Sequence, residues 1–122
     1  MISNKIDNVL TNSLIETRLN KRVSIVNYSC HPTVLSSDNQ LLSADFLFGL
    51  YASAKKDFEM LSFINGSSAN ISTRFTRNNQ TIEEAFRLGH RLYSQIEMDS
   101  KKNNSLLQIE THFSFINLKV KN

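Results

Sequence analysis

Glu110 and His112 are the residues whose types and spacing best suit proton transfer, with Arg74 as a holder of an anion. A histidine beside a carboxylate can act as a general base near neutral pH. Nothing in the sequence places Arg74 opposite His112, however, and a Glu-x-His pair on a strand is commonly just solvated. We therefore predict no catalytic residue. We assign Arg74, His112 and Phe48 instead to contacts with a protein partner.

Four arginines form an alternative constellation, a nucleic-acid surface. Arg87 and Arg91 lie one helical turn apart and share one side of a predicted helix, whereas Arg74 and Arg77 precede it. Sheet-type RNA readers also place stacking aromatic residues on their central strands, and "ANISTRFT" lacks them. The net charge of +3 permits such a partner without requiring one. Nucleic-acid contact through these arginines is the second hypothesis, and a small dimeric ferredoxin-like enzyme is the third.

The sequence offers few residues that could bind a metal or a cofactor or carry out redox chemistry. Cys30 is the only cysteine, which excludes an internal disulfide, and His31, His90 and His112 are scattered along the chain. Gly-rich phosphate loops and nucleophile elbows are absent. We predict no metal and no cofactor. Since no segment approaches the ~20 apolar residues that cross a bilayer, and no signal-peptide pattern opens the chain, we expect a cytoplasmic protein without a membrane partner.

The elements that carry these residues are expected to form a single domain over residues 1–122, with 40% hydrophobic residues for its core. Apolar residues at helical spacing predict a first helix over 2–19. The β-branched stretch 22–29 predicts an interior strand, and a loop of about a dozen residues follows it. A second helix is predicted over 42–58. Its buried stripe comprises Phe46, Leu47, Leu50, Tyr51, Ala54 and Phe58, with Phe48 off the stripe and covered by the first helix or by a partner.

The second half of the chain predicts a hairpin, a helix and a last strand. Strands over 60–64 and 69–75 flank Asn65-Gly66, a strong hairpin signal. Thr81 and Glu84 fit a capping box for a third helix. That helix should bury Ile82, Ala85, Phe86, Gly89, Tyr93 and Ile96. Alternating apolar residues predict a last strand over 105–120, with a bend near Phe115 where the alternation slips by one residue.

This order predicts an α+β fold, a ferredoxin-like β-α-β-β-α-β two-layer sandwich preceded by an N-terminal helix. Both crossover helices would cover one face of a four-stranded sheet. The other face would be polar and open, showing Arg74 and His112. We predict a small interaction protein that docks a protein partner or a second copy through this open face or through the edge of the last strand.

Residues 64–121 also resemble the palm of family B DNA polymerases. The pieces that carry the likeness are "NGSSANI", "TIEEAFRLGHRLYSQIE" and "LLQIETHFSFINLKVK". The resemblance implies a palm-type β-α-β-β-α-β unit. Ser67 and Ala69 stand where that family has its metal-binding aspartates, and neither side chain replaces a carboxylate toward Mg²⁺. The resemblance therefore implies no polymerase activity here.

Overall fold

A three-stranded sheet and two helices make up residues 8–96, the part of the chain that the computed structural model describes. In chain order the elements are β1 (Thr11–Glu16), β2 (Arg22–Tyr28), α1 (Phe46–Ala54), β3 (Met60–Asn65) and α2 (Ile82–Tyr93). β1 pairs antiparallel with β2, and β2 pairs parallel with β3. The α+β class is therefore confirmed.

β1 stands where the sequence predicts part of an N-terminal helix, so that prediction is wrong for residues 11–16. The Thr17 N–H donates to the Lys21 carbonyl at 2.9 Å and closes a turn into β2. Asn20 has a φ of 57° in this turn, a left-handed conformation that asparagine tolerates well. The helical spacing of Leu10 and Leu14 is misleading because a strand paired with β2 also half-buries Leu14, and the neighbouring Asn and Ser residues are weak helix formers.

The two parallel strands are direct neighbours, with Val26 of β2 opposite Phe63 of β3. A ferredoxin-like sheet would place the strand over 69–75 between them. Residues 69–75 form no such strand: they contribute one isolated bridge, from Ser72 to His31, and a 3-10 turn at Thr73–Phe75. The predicted hairpin is wrong and the ferredoxin-like topology is not confirmed. The predicted last strand, 105–120, lies outside the described residues.

Asn65 and Gly66 explain why the hairpin signal fails. The Asn65 side chain is already bonded, accepting the Cys30 N–H at 3.3 Å and donating to the Ser68 hydroxyl at 3.3 Å. Gly66 has no positive φ, so it does not provide the turn that an Asn-Gly hairpin needs. Its N–H donates to the Tyr28 carbonyl at 3.2 Å and extends the pairing with β2. The dipeptide ends a parallel strand instead of reversing the chain.

Side-chain caps fix where both helices begin. Asp45 precedes α1 and its carboxylate accepts the Phe46 N–H at 2.7 Å, which starts the helix later than the predicted residue 42. Thr81 accepts the Glu84 N–H at 3.3 Å, which confirms the predicted N-cap of α2. Glu84 does not complete a capping box, however, because its carboxylate accepts the Asn78 N–H at 2.7 Å instead of reaching back to Thr81.

Gly49 and Gly89 lie where the two helices cross. A Cβ at Gly49 would come within 2.7 Å of the Phe86 Cα, and one at Gly89 would overlap the backbone of Phe46 and Leu50. The absence of both side chains therefore lets the helix backbones touch. Gly89 is buried as predicted, and its close contact is with α1.

The core lies between the helices and one face of the sheet. Val26, Leu50, Ala54, Phe58, Tyr93 and Ile96 form one buried cluster, and Cys30, Val34, Phe46 and Ala85 form a second. Three predicted core residues are exposed: Tyr51, Ile82 and Phe86. The close crossing at Gly89 turns α2 so that Leu88 and Leu92 face the core in place of Ile82 and Phe86.

Candidate functional site

Arg74 lies in the 3-10 turn and is exposed to solvent, not on the open face of a sheet. Its backbone N–H is capped by the Ser72 hydroxyl at 3.3 Å. Phe48 is 52% exposed on α1 and packs against Phe86 of α2, with ring centroids 5.8 Å apart. His112 lies outside the described residues. Arg74 therefore does not lie on a sheet face as predicted, whereas Phe48 lies on α1 and is largely exposed.

Two of the four predicted nucleic-acid contacts are engaged within the fold. The Arg77 guanidinium donates to the Thr33 and Val34 carbonyls and ties the loop after β2 to the segment before α2. Arg87 donates to Glu84 through Nε at 2.7 Å and through Nη2 at 2.6 Å. Arg74 and Arg91 are exposed and make no such contacts within residues 8–96, so two of the four arginines remain available to a nucleic acid.

Residues 8–96 contain no group of three His, Cys, Asp or Glu side chains that could hold a metal ion. No helix formed by these residues combines the length and the apolar character that a membrane crossing requires. Cys30 and His31 are adjacent in the chain but differ in burial: the thiol is buried, while His31 is exposed and its Nδ1 lies 3.4 Å from the Ser68 hydroxyl.

The sheet face turned away from the helices carries five aliphatic side chains beside its polar ones. Alternation along the strands sends every second side chain to this reverse face, and the described core clusters include none of its apolar members. They are Ile15, Val23, Ile25, Met60 and Ile64. Met60 is 56% exposed and Ile64 is 52% exposed. The strand expected to supply Asn70, Ser72 and Arg74 to this face does not form, so the predicted polar surface is replaced by a face that carries both aliphatic and small polar side chains.

In the sheet that residues 8–96 build, β3 forms one edge. The Gly66 N–H bonds to the Tyr28 carbonyl opposite Asn65, so the alternation of a parallel ladder turns the peptide groups of Leu61 and Phe63 toward the outer edge. The segment "MLSFIN" has no charged residue and no proline. Natural edge strands usually carry such residues to block further pairing. Among residues 8–96, the β3 edge therefore has neither a neighbouring strand nor these protecting residues.

A cleft of about 250 Å³ opens at the carboxyl end of β2. Its apolar wall is formed by Phe46, Leu88 and Leu92, and its polar lining includes Tyr28, Cys30, Thr73, Thr76, Arg91 and Gln95. Ligands commonly bind at the carboxyl ends of parallel strands in open sheets. We call this site the β2 cleft.

Thr73 and Cys30 set the chemistry of the β2 cleft. Thr73 is 5% exposed, and its hydroxyl has no hydrogen-bond partner among residues 8–96. An unpaired buried hydroxyl costs about 1–3 kcal/mol. Burial and the nearby Asp45 carboxylate raise the pKa of the Cys30 thiol, which leaves the thiol protonated at neutral pH. The cleft is therefore suited to binding rather than to nucleophilic catalysis.

Asp45 is fixed by hydrogen bonds that hold the loop before α1 over this region. Its carboxylate accepts the Val34 N–H at 2.9 Å and the Leu35 N–H at 2.9 Å, in addition to capping α1. The residue has a φ of 55°, in the left-handed region. Three backbone donors thus hold a buried carboxylate, which ties the loop after β2 to the start of α1 beside the cleft residue Phe46.

A second apolar groove, of about 420 Å³, runs beside the outer face of α1. Phe48 and Tyr51 line it from the helix, Leu41 and Leu42 from the preceding loop, and Ile82 from the start of α2. All five are exposed. α1 is thus apolar on its outer side as well as on its inner side.

Comparison of the chain with family models, with curated protein sequences and with solved structures found no match. The resemblance to the polymerase palm stays a prediction. Sequence reasoning missed the residues of the β2 cleft because Tyr28, Thr73 and Arg91 are far apart in the chain and form no motif. A signal for the β3 edge was present, in an uncharged strand without proline.

Proposed function

We propose that this chain is a small protein-interaction module that pairs with a second copy of itself through the outer edge of β3. The observation that carries the proposal is the uncharged, proline-free β3 edge beside the exposed Met60 and Ile64. Strand addition to such an edge supplies main-chain hydrogen bonds for affinity and side-chain contacts for specificity. The proposal keeps the edge-strand docking expected from the sequence and moves it to β3.

The sequence of β3 is complementary to itself when two copies run antiparallel about Ser62. Met60 then lies opposite Ile64 of the second copy on the reverse face, and Leu61 opposite Phe63 on the helix face. Since the peptide groups of Leu61 and Phe63 point outward, these two form the hydrogen-bonded pairs of the new ladder, and Ser62 meets Ser62 of the second copy between them. No charged side chain meets another, and every apolar side chain meets an apolar one. Pairs of this kind stabilise a sheet by about 0.2–1 kcal/mol each.

A two-fold axis through Ser62 also closes the assembly. The same edge is used by both copies, so pairing leaves no second β3 edge for further growth. The exposed sides of Met60 and Ile64 become neighbours across the axis, which removes apolar surface from water at about 25 cal/mol per Å². This geometry supports a dimer rather than an open fibre.

The experiment is charge replacement at Ser62, measured by sedimentation velocity over a range of protein concentrations. Ser62→Lys and Ser62→Asp each place like charges directly opposite in the dimer, so each variant alone is expected to sediment as a monomer. An equimolar mixture of the two should regain the dimer, because lysine then faces aspartate. The wild type should show a concentration-dependent monomer–dimer equilibrium.

Ser13→Lys is the matched control. Ser13 and Ser62 flank Ile25 in one row of the reverse face, so the control adds the same charge to the same face at β1. It should dimerise like the wild type. A wild type that stays monomeric at all concentrations, or a mixture that fails to regain the dimer, contradicts the proposal. Heparin retention that collapses in moderate salt and is lost in Arg74→Ala would instead favour the nucleic-acid hypothesis.

A further inference from the structure

The β2 cleft combines features that a packed core does not need. Its volume of about 250 Å³ is just below the ~300–1,000 Å³ of typical ligand pockets, which limits it to a small occupant. The Thr73 hydroxyl is buried without a partner among the described residues. Native proteins pair nearly all such groups. The hydroxyl itself has almost no accessible area, so a ligand in the cleft reaches it after a small shift of the Thr73 side chain and then supplies the missing hydrogen bond.

The charges of the residues that line the cleft determine whether its ligand is an anion or a cation. Arg91 is the charged side chain among the described lining residues, and no carboxylate lines the cleft there. Its guanidinium has no hydrogen-bonded or ionic partner within residues 8–96. A guanidinium offers a fork of donors that fits a carboxylate in two parallel hydrogen bonds. The occupant is therefore an anion.

The apolar residues of the cleft determine the chemical character of the remainder of the ligand. Phe46, Leu88 and Leu92 form an apolar side, and Tyr28 lines the cleft at the end of β2. A bare inorganic anion would leave these walls unused, whereas an apolar body would cover them. We propose that the β2 cleft binds a small monocarboxylate with an apolar body, its carboxylate on Arg91 and the Thr73 hydroxyl.

The test uses phenylacetate as the probe and its neutral amide as the matched ligand, with the full chain titrated by heteronuclear NMR. Phenylacetate should shift the amide signals of Tyr28, Thr73 and Arg91 and bind at least tenfold more tightly than phenylacetamide. Inorganic phosphate should bind more weakly than phenylacetate, because it cannot use the apolar wall. Equal affinity for the acid and the amide, equal or tighter binding of phosphate, or no shift at millimolar probe would overturn the proposal.

Two variants separate a binding role from a structural one. Arg91→Gln, on an exposed position, should lose at least tenfold in phenylacetate affinity, whereas Arg18→Gln in the β1–β2 turn should lose none. Thr73→Val removes the unpaired hydroxyl while keeping the branched shape. It should weaken phenylacetate binding severalfold and leave the thermal midpoint of the free protein unchanged or higher. A lowered midpoint, or unchanged affinity in either cleft variant, would overturn the assignment.

Discussion

Glu84 shows how a single residue of the predicted capping box takes on a larger role. Its side chain is 4% exposed and accepts hydrogen bonds from Arg87 and from the Asn78 backbone. The hydrogen bonds from Arg87 contribute most to lowering the pKa of the carboxyl from 4.5 to about 2, and the Asn78 N–H adds to the effect. Glu84 therefore ties the segment before α2 to the helix as an ionised group.

This lowered pKa predicts an acid-dependent contribution to stability. A carboxyl with a depressed folded-state pKa stabilises the fold fully above its ordinary value of 4.5 and loses that contribution as the pH falls toward about 2. Glu84→Gln should therefore lower the urea midpoint at pH 7, and the difference from the wild type should close between pH 4.5 and pH 2. Urea titrations followed by circular dichroism at several pH values would measure it.

Glu83→Gln is the control for this prediction, since Glu83 is the neighbouring acid in the same helical turn. The pKa of Glu83 is also lowered, by its own backbone N–H and the Thr81 hydroxyl, but the side chain is exposed. Its replacement should change the midpoint less. A difference between wild type and Glu84→Gln that persists unchanged at pH 2 would show that packing, and not ionisation, is what Glu84 contributes.

At the residue scale, the sequence correctly predicts hydrogen bonds between residues that are close together in the chain. Thr81 caps α2 as predicted, because its hydroxyl and the Glu84 N–H are three residues apart. The sequence does not predict that Thr73 and Arg91 line the same cleft, because this depends on how α2 lies over the end of β2. Met60 and Ile64 were readable as strand residues, but their exposure depends on which strand pairs with β3.

The two helices depend on each other at the scale of elements. α1 is short and apolar on both sides, and α2 meets it where Gly49 and Gly89 allow backbone contact. A glycine in a helix costs about 1 kcal/mol relative to alanine in propensity. The close crossing offsets this cost by bringing the buried parts of both helices together over the sheet.

Gly89→Ala should therefore destabilise the protein in spite of its better helix propensity. The new Cβ would overlap backbone atoms of Phe46 and Leu50, which cannot rotate away as a side chain would. Overpacking of this kind typically costs about 1–3 kcal/mol, and we expect the upper half of that range. Thermal unfolding measured against Gly66→Ala provides the comparison, because the Cβ there meets chiefly the Ser29 side chain. A higher midpoint for Gly89→Ala would contradict the crossing.

Some helices and strands were predicted correctly and others were not, and the wrong predictions share a cause. β2, β3 and both helices were found because their composition or periodicity is strong. β1 was predicted wrongly because Leu14 fits a helical stripe as well as a strand. The segment after β3 was predicted wrongly because Asn65-Gly66 is typical of a tight turn, whereas the Asn65 side chain bonds to Cys30 and Ser68 and no such turn forms. Local signals decide such segments only when no tertiary hydrogen bond competes.

At the scale of the whole molecule, the asymmetry of the sheet governs how the protein meets others. One face is packed by helices, the reverse face carries five aliphatic side chains beside its polar ones, and the β3 edge is uncharged. The direct parallel pairing of β2 and β3 creates this edge. In the predicted ferredoxin-like order, a further strand would separate the same two strands, and the exposed edge would be a different one.

Edge pairing makes thermal stability depend on protein concentration. If β3 joins β3 and the dimer unfolds to separate chains, a tenfold rise in concentration adds about 1.4 kcal/mol to the free energy of unfolding per mole of dimer. For two chains of this length, that corresponds to a rise of about 3 °C in the thermal midpoint. Differential scanning calorimetry over two decades of concentration would measure the slope for the wild type and for Ser62→Lys. The wild-type midpoint should rise, and the midpoint of the variant should stay constant because its like charges keep the edges apart. A constant wild-type midpoint would mean that pairing contributes nothing to the fold, whereas an equal slope in both proteins would place the interface away from β3.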